Sequence, residues 1–231
     1  MHMFCYQCQE TGENTGCRYF GACGKTDETA NYQDLLIFLL KGIAICAEAA
    51  PAGTAVDRET GLFLARSLYA TITNTNFDPD RFVTMIHEAV EIRDRLRDQY
   101  QPQPQAPPEL RDMLTWSGHD VWALRQKSVA VDIRNTLDED TRSLQELTTY
   151  ALKGISAYVD HAAVNGFYDD ALLGFMVRAL ATIARERDET ALGELAIEAG
   201  QAMIEAMALL DRANTATYGQ PGPGPVRLEV G

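Results

Sequence analysis

Gln33-Asp34-Leu35-Leu36-Ile37-Phe38-Leu39-Leu40-Lys41-Gly42-Ile43-Ala44-Ile45-Cys46-Ala47 returns apolar residues at three- and four-residue steps, the period of one helical face. Thr26-Asp27-Glu28 in front of it supplies capping oxygens and negative charge at a helix start, and Pro51 and Gly53 stop it, so a helix over 27–50 is expected. A second helix is expected over 57–75. Asp78-Pro79, a cap followed by proline at the first helical position, opens a third over 79–100.

The same pattern returns later in the chain. Gln33-Asp34-Leu35 and Leu40-Lys41-Gly42-Ile43-Ala44 align with Gln145-Glu146-Leu147 and Leu152-Lys153-Gly154-Ile155-Ser156 at an offset of 112. Ala70-Thr71-Ile72 aligns with Ala181-Thr182-Ile183 at 111, and Glu88-Ala89 with Glu198-Ala199 at 110, a drift that small loop deletions produce. The expected fold is therefore all-α: two three-helix bundles related by an internal repeat, the second built from 139–164, 168–186 and 189–212. Lys41 and Lys153 occupy matched positions, and the glycines after them let two helix axes approach closely. Asp138-Glu139-Asp140 reads as helix-dipole compensation rather than a metal site.

Between the halves, Pro102, Pro104, Pro107 and Pro108 exclude a helix and favour an extended linker. A short helical piece over 109–114 and an ill-defined segment follow. Gly219-Gln220-Pro221-Gly222-Pro223-Gly224-Pro225 breaks the last helix, and Val226-Arg227-Leu228-Glu229-Val230 alternates like the first strand of a following α/β domain. The expected division is a cysteine loop at 1–26, a first bundle at 27–100, a linker at 101–137, a second bundle at 138–214 and a terminal linker at 215–231.

The cysteine loop carries the chemistry. Cys5, Cys8, Cys17 and Cys23, four of the five cysteines, fall within nineteen residues. Thiolates are preferred ligands of zinc and of iron–sulfur clusters. Thr11-Gly12-Glu13-Asn14-Thr15-Gly16 breaks any helix and offers backbone N–H groups, and Gly21 and Gly24 flank the last thiol. Three chemistries compete: a disulfide pair, a four-cysteine zinc site, and an iron–sulfur cluster. Nothing indicates the oxidising compartment that disulfides need. Zinc ribbons use two short C-x2-C arms, and here only Cys5 and Cys8 form one. An iron–sulfur cluster tolerates the x2, x8, x5 spacing and leads.

The residues around these cysteines resemble the start of the hybrid-cluster proteins, also called prismane proteins or hydroxylamine reductases. The resemblance rests on Met3-Phe4-Cys5-Tyr6-Gln7-Cys8-Gln9-Glu10-Thr11, Asn14-Thr15-Gly16-Cys17, Gly21-Ala22-Cys23-Gly24-Lys25, Glu28-Thr29-Ala30-Asn31 and Gln33-Asp34-Leu35-Leu36. It extends through Ala70-Thr71-Ile72-Thr73-Asn74, Leu152-Lys153-Gly154, Glu205-Ala206-Met207-Ala208-Leu209-Leu210-Asp211, Ala213-Asn214-Thr215 and Thr217-Tyr218-Gly219. It implies a [4Fe–4S] cubane on Cys5, Cys8, Cys17 and Cys23, and an oxidoreductase that converts hydroxylamine to ammonia and nitric oxide to nitrous oxide. It also implies a second, hybrid iron–sulfur–oxygen cluster held by a histidine, glutamates and cysteines of later domains, none of which falls within residues 1–231. The expected role is electron relay from an external reductase to that cluster, with no turnover by this chain alone. The alternative, from another class, is a zinc-stabilised helical module for protein association.

Composition narrows the partners. With 231 residues the chain is long enough to bury roughly 70% of its unfolded surface. A net charge of −13 argues against nucleic acid and against an anionic membrane surface. It suits docking to a basic patch on a redox partner. No run of eighteen uninterrupted apolar residues and no signal peptide are found, and reduced thiols make the cytoplasm the expected compartment. His87, His119 and His161 read as structural or exposed, and Cys46 as a small core residue. Arg18 and Lys25 read either as solvated charges or as cations compensating the cluster. Tyr6 and Phe20 are candidates to shield it from water.

Overall fold

The computed structural model describes residues 3–51, 53–101 and 107–224. Among them lie eight α-helices: α1 (Asp27–Glu48), α2 (Arg58–Ala70), α3 (Pro79–Tyr100), α4 (Pro108–Thr115), α5 (Val121–Ala130), α6 (Glu139–Val164), α7 (Asp170–Arg185) and α8 (Glu189–Tyr218). No strand ladder forms among the described residues beyond one isolated bridge, so the protein is all-α. The alternating stretch 226–230 lies outside the described residues.

The acidic composition is used at helix starts. Seven of the eight helices begin at a side chain that accepts a backbone N–H: Thr26, Asp57, Asp78, Asp120, Asp138, Asp169 and Asp188. Only α4, which starts from Pro107, lacks such a cap.

Three elements differ from the expectation. α2 ends at Ala70 rather than 75, because the Thr71 hydroxyl bonds back to the Leu68 carbonyl at 2.7 Å and the chain continues in i→i+3 turns. α8 continues to Tyr218 rather than 212, since no breaker precedes Gly219, whose φ is +82°. The ill-defined segment contains α5, capped by Asp120.

α1 is the axis of the core. It packs against α2, α3, α4, α5 and α7, and nearly every side of it is buried. By length and composition it would pass for a membrane span, yet 72% of its most apolar stretch is buried inside the protein. Within each group of three helices the first packs on the third: α1 on α3, α6 on α8. The second helix of each group packs mainly on the first of the other: α2 on α6, α7 on α1. The buried side chains of both groups consequently form one cluster. α1 and α6 face each other across a cavity of about 470 Å³, closed at one end by the cysteine loop.

Candidate metal centre

The loop is built on a backbone exchange. Cys5 N–H donates to the Cys17 carbonyl at 3.1 Å and Cys17 N–H to the Cys5 carbonyl at 2.8 Å, while Met3 N–H reaches the Arg18 carbonyl at 3.0 Å. Residues paired in this way present their side chains to the same face, so the two thiols lie side by side. The turn between them needs glycine at Gly16: φ is +144° and a Cβ would stand 2.5 Å from the Phe4 ring. The Thr11 hydroxyl donates to the Cys5 carbonyl at 3.0 Å and ties the start of that turn down.

Cys17 is the best-supported thiol. Its Sγ accepts N–H bonds from Gly12 and from Ala22, each at 3.4 Å, which brings the turn carrying Cys23 against it. Burial alone would raise its pKa, but those two N–H groups, the Thr11 hydroxyl and the Lys25 charge together pull it below the usual thiol value. Burial pushes the Cys5 thiol up, against the Lys25 charge and the Gln7 N–H. Around Cys23 the packing is close: a Cβ on Gly21 would lie 3.2 Å from its sulfur. Cys8 sits half-buried where the Cys8 carbonyl accepts from Thr11 N–H at 3.3 Å. All five thiols are free of disulfides. Among the described residues, no three His, Cys, Asp or Glu side chains converge tightly enough to hold a single metal ion.

Lys25 is buried, and its Nζ donates to Gln33 Oε1 at 2.6 Å, which fixes the cation beside the loop. Arg18 is exposed, as are Tyr19 and Phe20. Tyr6 is half-buried, stacked between Phe4 and Tyr150 at ring distances of 5.3 and 5.8 Å, and so covers the Cys5 side. Phe20 is 61% exposed. Cys46 is wholly buried on α1, its thiol pushed up to about 12 chiefly by burial. His87 and His119 lie 6.0 Å apart as rings, and His161 packs edge-on against Tyr69.

Residues 3–231 match the Prismane/CO dehydrogenase family. The chain belongs to that family. Three curated relatives, each named hydroxylamine reductase, come from Halothermothrix orenii, Desulfosudis oleivorans and Nitratidesulfovibrio vulgaris. They are 44%, 43% and 44% identical to this chain over 99–100% of its length, and the matches cover 43%, 42% and 42% of theirs. The chain thus spans less than half the length of the curated relatives it matches.

Prismane-family proteins bind iron–sulfur clusters. The loop suits such a group. N–H donors aimed at thiolate sulfurs are a recognised means of stabilising and tuning these centres, and Cys17 has two of them.

In this Prismane-family chain, sequence reasoning missed four charged residues behind the loop. Asp34 and Lys41 from α1, and Glu146 and Lys153 from α6, all line the cavity that Cys5 also lines. Burial, then the Glu146 charge, pushes the Asp34 carboxyl up to about 8, while Lys153 pulls the other way. Burial depresses Lys153 to about 8 and lowers Lys41 as well. The available signal was an acid and a lysine seven residues apart among leucines, once at Asp34 and Lys41 and again at Glu146 and Lys153.

Proposed function

We propose that Cys5, Cys8, Cys17 and Cys23 hold a [4Fe–4S] cubane, and that this region relays electrons from an external reductase to a hybrid iron–sulfur–oxygen cluster in the remainder of a full-length family member. The observation that carries the reading is Cys17. It is a buried sulfur with two backbone N–H donors, paired across a bridge with a second candidate ligand. A cubane of this kind supplies one-electron transfer at low potential. The chain's own part is to hold the thiolates charged: the Gly12, Gln7 and Ala22 N–H groups and the Lys25 ammonium all favour the anionic sulfur. Tyr6, between Phe4 and Tyr150, excludes water from the Cys5 side.

In this reading the whole protein reduces hydroxylamine, NH2OH + 2e− + 2H+ → NH3 + H2O, in the cytoplasm. The partners are the remaining domains and the donor reductase, with neither nucleic acid nor a membrane involved. Four thiolates fill the coordination of a cubane, so the substrate must bind elsewhere. The test is anaerobic purification followed by metal and sulfide analysis. About four irons with matching acid-labile sulfide and a broad absorption near roughly 400 nm are expected. Stoichiometric zinc without sulfide overturns the reading in favour of a zinc-stabilised interaction module. Supplied with a reduced dye and hydroxylamine, the cluster-loaded chain is expected to accept electrons yet form no ammonia above background; sustained ammonia production overturns the division of labour.

A further inference from the structure

The 470 Å³ cavity between α1 and α6 is an unusual interior. Each helix contributes an acid and, two turns later on the same face, a lysine: Asp34 and Lys41, Glu146 and Lys153. Glu146 is 9% exposed and Lys153 4% exposed. Among the described residues, Asp34, Lys41 and Glu146 make no hydrogen bond or ion pair, and Lys153 makes no ion pair, its Nζ donating to the Thr71 carbonyl at 3.4 Å and lying 5.8 Å from the Tyr150 ring centre. None of the four bonds to a cysteine sulfur. Asp34 and Lys41 are half-buried. Charges gathered so closely without ion-pair partners need water or a mobile proton to balance them.

The other ionisable groups facing the cavity are already committed. Asp112 pairs with Lys127, Asp132 with Arg134, and Asp138 caps α6 at Thr141. Arg142 donates to the Thr136 carbonyl, and Arg187 to those of Ala184 and Glu186. Burial raises both Tyr6 and Tyr150, which keeps their hydroxyls protonated. Cys5 is taken as a cluster ligand. The two acids and two lysines remain as the set free to exchange protons.

We propose that this cavity is a water-filled proton store that takes up a proton when the adjoining centre accepts an electron. The inference rests on the cubane reading above. Cys5 itself lines the cavity, so an added electron beside it makes the whole cavity more negative. The compensating step is one proton from solvent onto the Asp34 carboxylate, giving a neutral acid. Repulsion from the Glu146 charge favours that protonated form. When the electron moves on, the proton returns to solvent or follows it. Reduction of hydroxylamine consumes protons and electrons in equal number, so a relay that moves both suits the reaction.

The experiment is a potentiometric titration of the cluster-loaded protein from about pH 6 to about pH 9, with iron and sulfide measured first. At fixed applied potential, the reduced-to-oxidised ratio is expected to fall as pH rises above about 8, where the Asp34 carboxyl is ionised before reduction, by up to about tenfold per pH unit at full coupling. In the Asp34→Asn/Glu146→Gln double variant the ratio becomes independent of pH, whereas Asp34→Glu and Glu146→Asp, which keep the carboxyl, retain the slope. A pH-independent ratio in the unaltered protein overturns the proposal even if the double variant fails to assemble. A slope that survives in the double variant overturns it too. A chain that holds no iron and sulfide overturns the cubane reading and this inference with it, whereas a loaded chain with no slope overturns this inference alone.

Discussion

Cys17 and Cys46 show how one residue type takes opposite roles in one chain. Both are buried, and burial alone makes any thiol harder to ionise. At Cys17 the N–H groups of Gly12 and Ala22 reverse the effect, and the thiol ionises more readily than usual. At Cys46, surrounded by the apolar core of α1, nothing reverses it, and the thiol stays protonated and inert. Cys17→Ser is therefore expected to lose most of the iron and sulfide. Cys46→Ser should keep both and lose only about 1–3 kcal/mol of stability through its buried hydroxyl. Iron and sulfide assays beside urea unfolding separate the two effects, and iron loss in Cys46→Ser with iron retained in Cys17→Ser would reverse the assignment. The loop that gathers Cys5 and Cys17 was legible because its turn residues are local sequence properties. The depth of Lys25 was not, because it depends on which helix comes to lie over the loop.

At the scale of the element, the matched glycines separate into one that is indispensable and one that is replaceable. A Cβ on Gly42 would stand 2.5 Å from the Met113 carbonyl oxygen, where α1 crosses α4. α4 cannot retreat, because Arg93 donates to that same carbonyl at 3.2 Å and Arg97 to the Leu114 carbonyl at 3.0 Å. Arg93 is itself wholly buried and tied to Asp94 at 2.6 Å. On Gly154 the obstruction is the terminal methyl of Met203, also at 2.5 Å, which can swing aside. Gly42→Ala is expected to cost about 1–3 kcal/mol by overpacking. Gly154→Ala should be close to neutral, since the higher helix propensity of alanine, about 1 kcal/mol, offsets the repacking. Urea midpoints measure both, and equal losses would contradict the contrast. The repeat pattern made close approach predictable at both glycines, but only the packing distinguishes a fixed carbonyl from a movable side chain. Most helix starts were legible because Asp and Thr caps are local. α5 escaped because a single buried leucine, Leu124, anchors it, too few to establish a period.

At the scale of the whole molecule, periodicity identifies which helical face is buried but not which partner buries it. The crossing of α2 onto α6 and of α7 onto α1 was therefore hidden, and with it the gathering of Asp34, Lys41, Glu146 and Lys153 around one cavity. That gathering sets a pH dependence of stability. Burial and the Glu146 charge raise Asp34 from an ordinary 3.8 to about 8, so between those values the folded chain holds a proton that the unfolded chain has released. Stability must fall as pH rises across that window. Lys153 runs the other way, since burial lowers it from 10.5 to about 8 and the folded chain holds fewer protons than the unfolded one in that range. Its contribution grows more favourable as pH rises above about 8. The capping carboxylates Asp57 and Asp138 are held below their usual value. Their effect is confined to acid pH, and both are ionised in the folded and unfolded chain above about pH 5. Between about pH 5 and about pH 8 Asp34 is thus the leading shifted carboxylate, and the melting temperature is expected to decline steadily. Asp34→Asn, which cannot ionise, should flatten that decline and leave the protein more stable than the unaltered chain near pH 8. A melting temperature that rises with pH over this window, or a decline that Asp34→Asn leaves intact, would mean that the cavity charges are neutralised by partners outside the cavity.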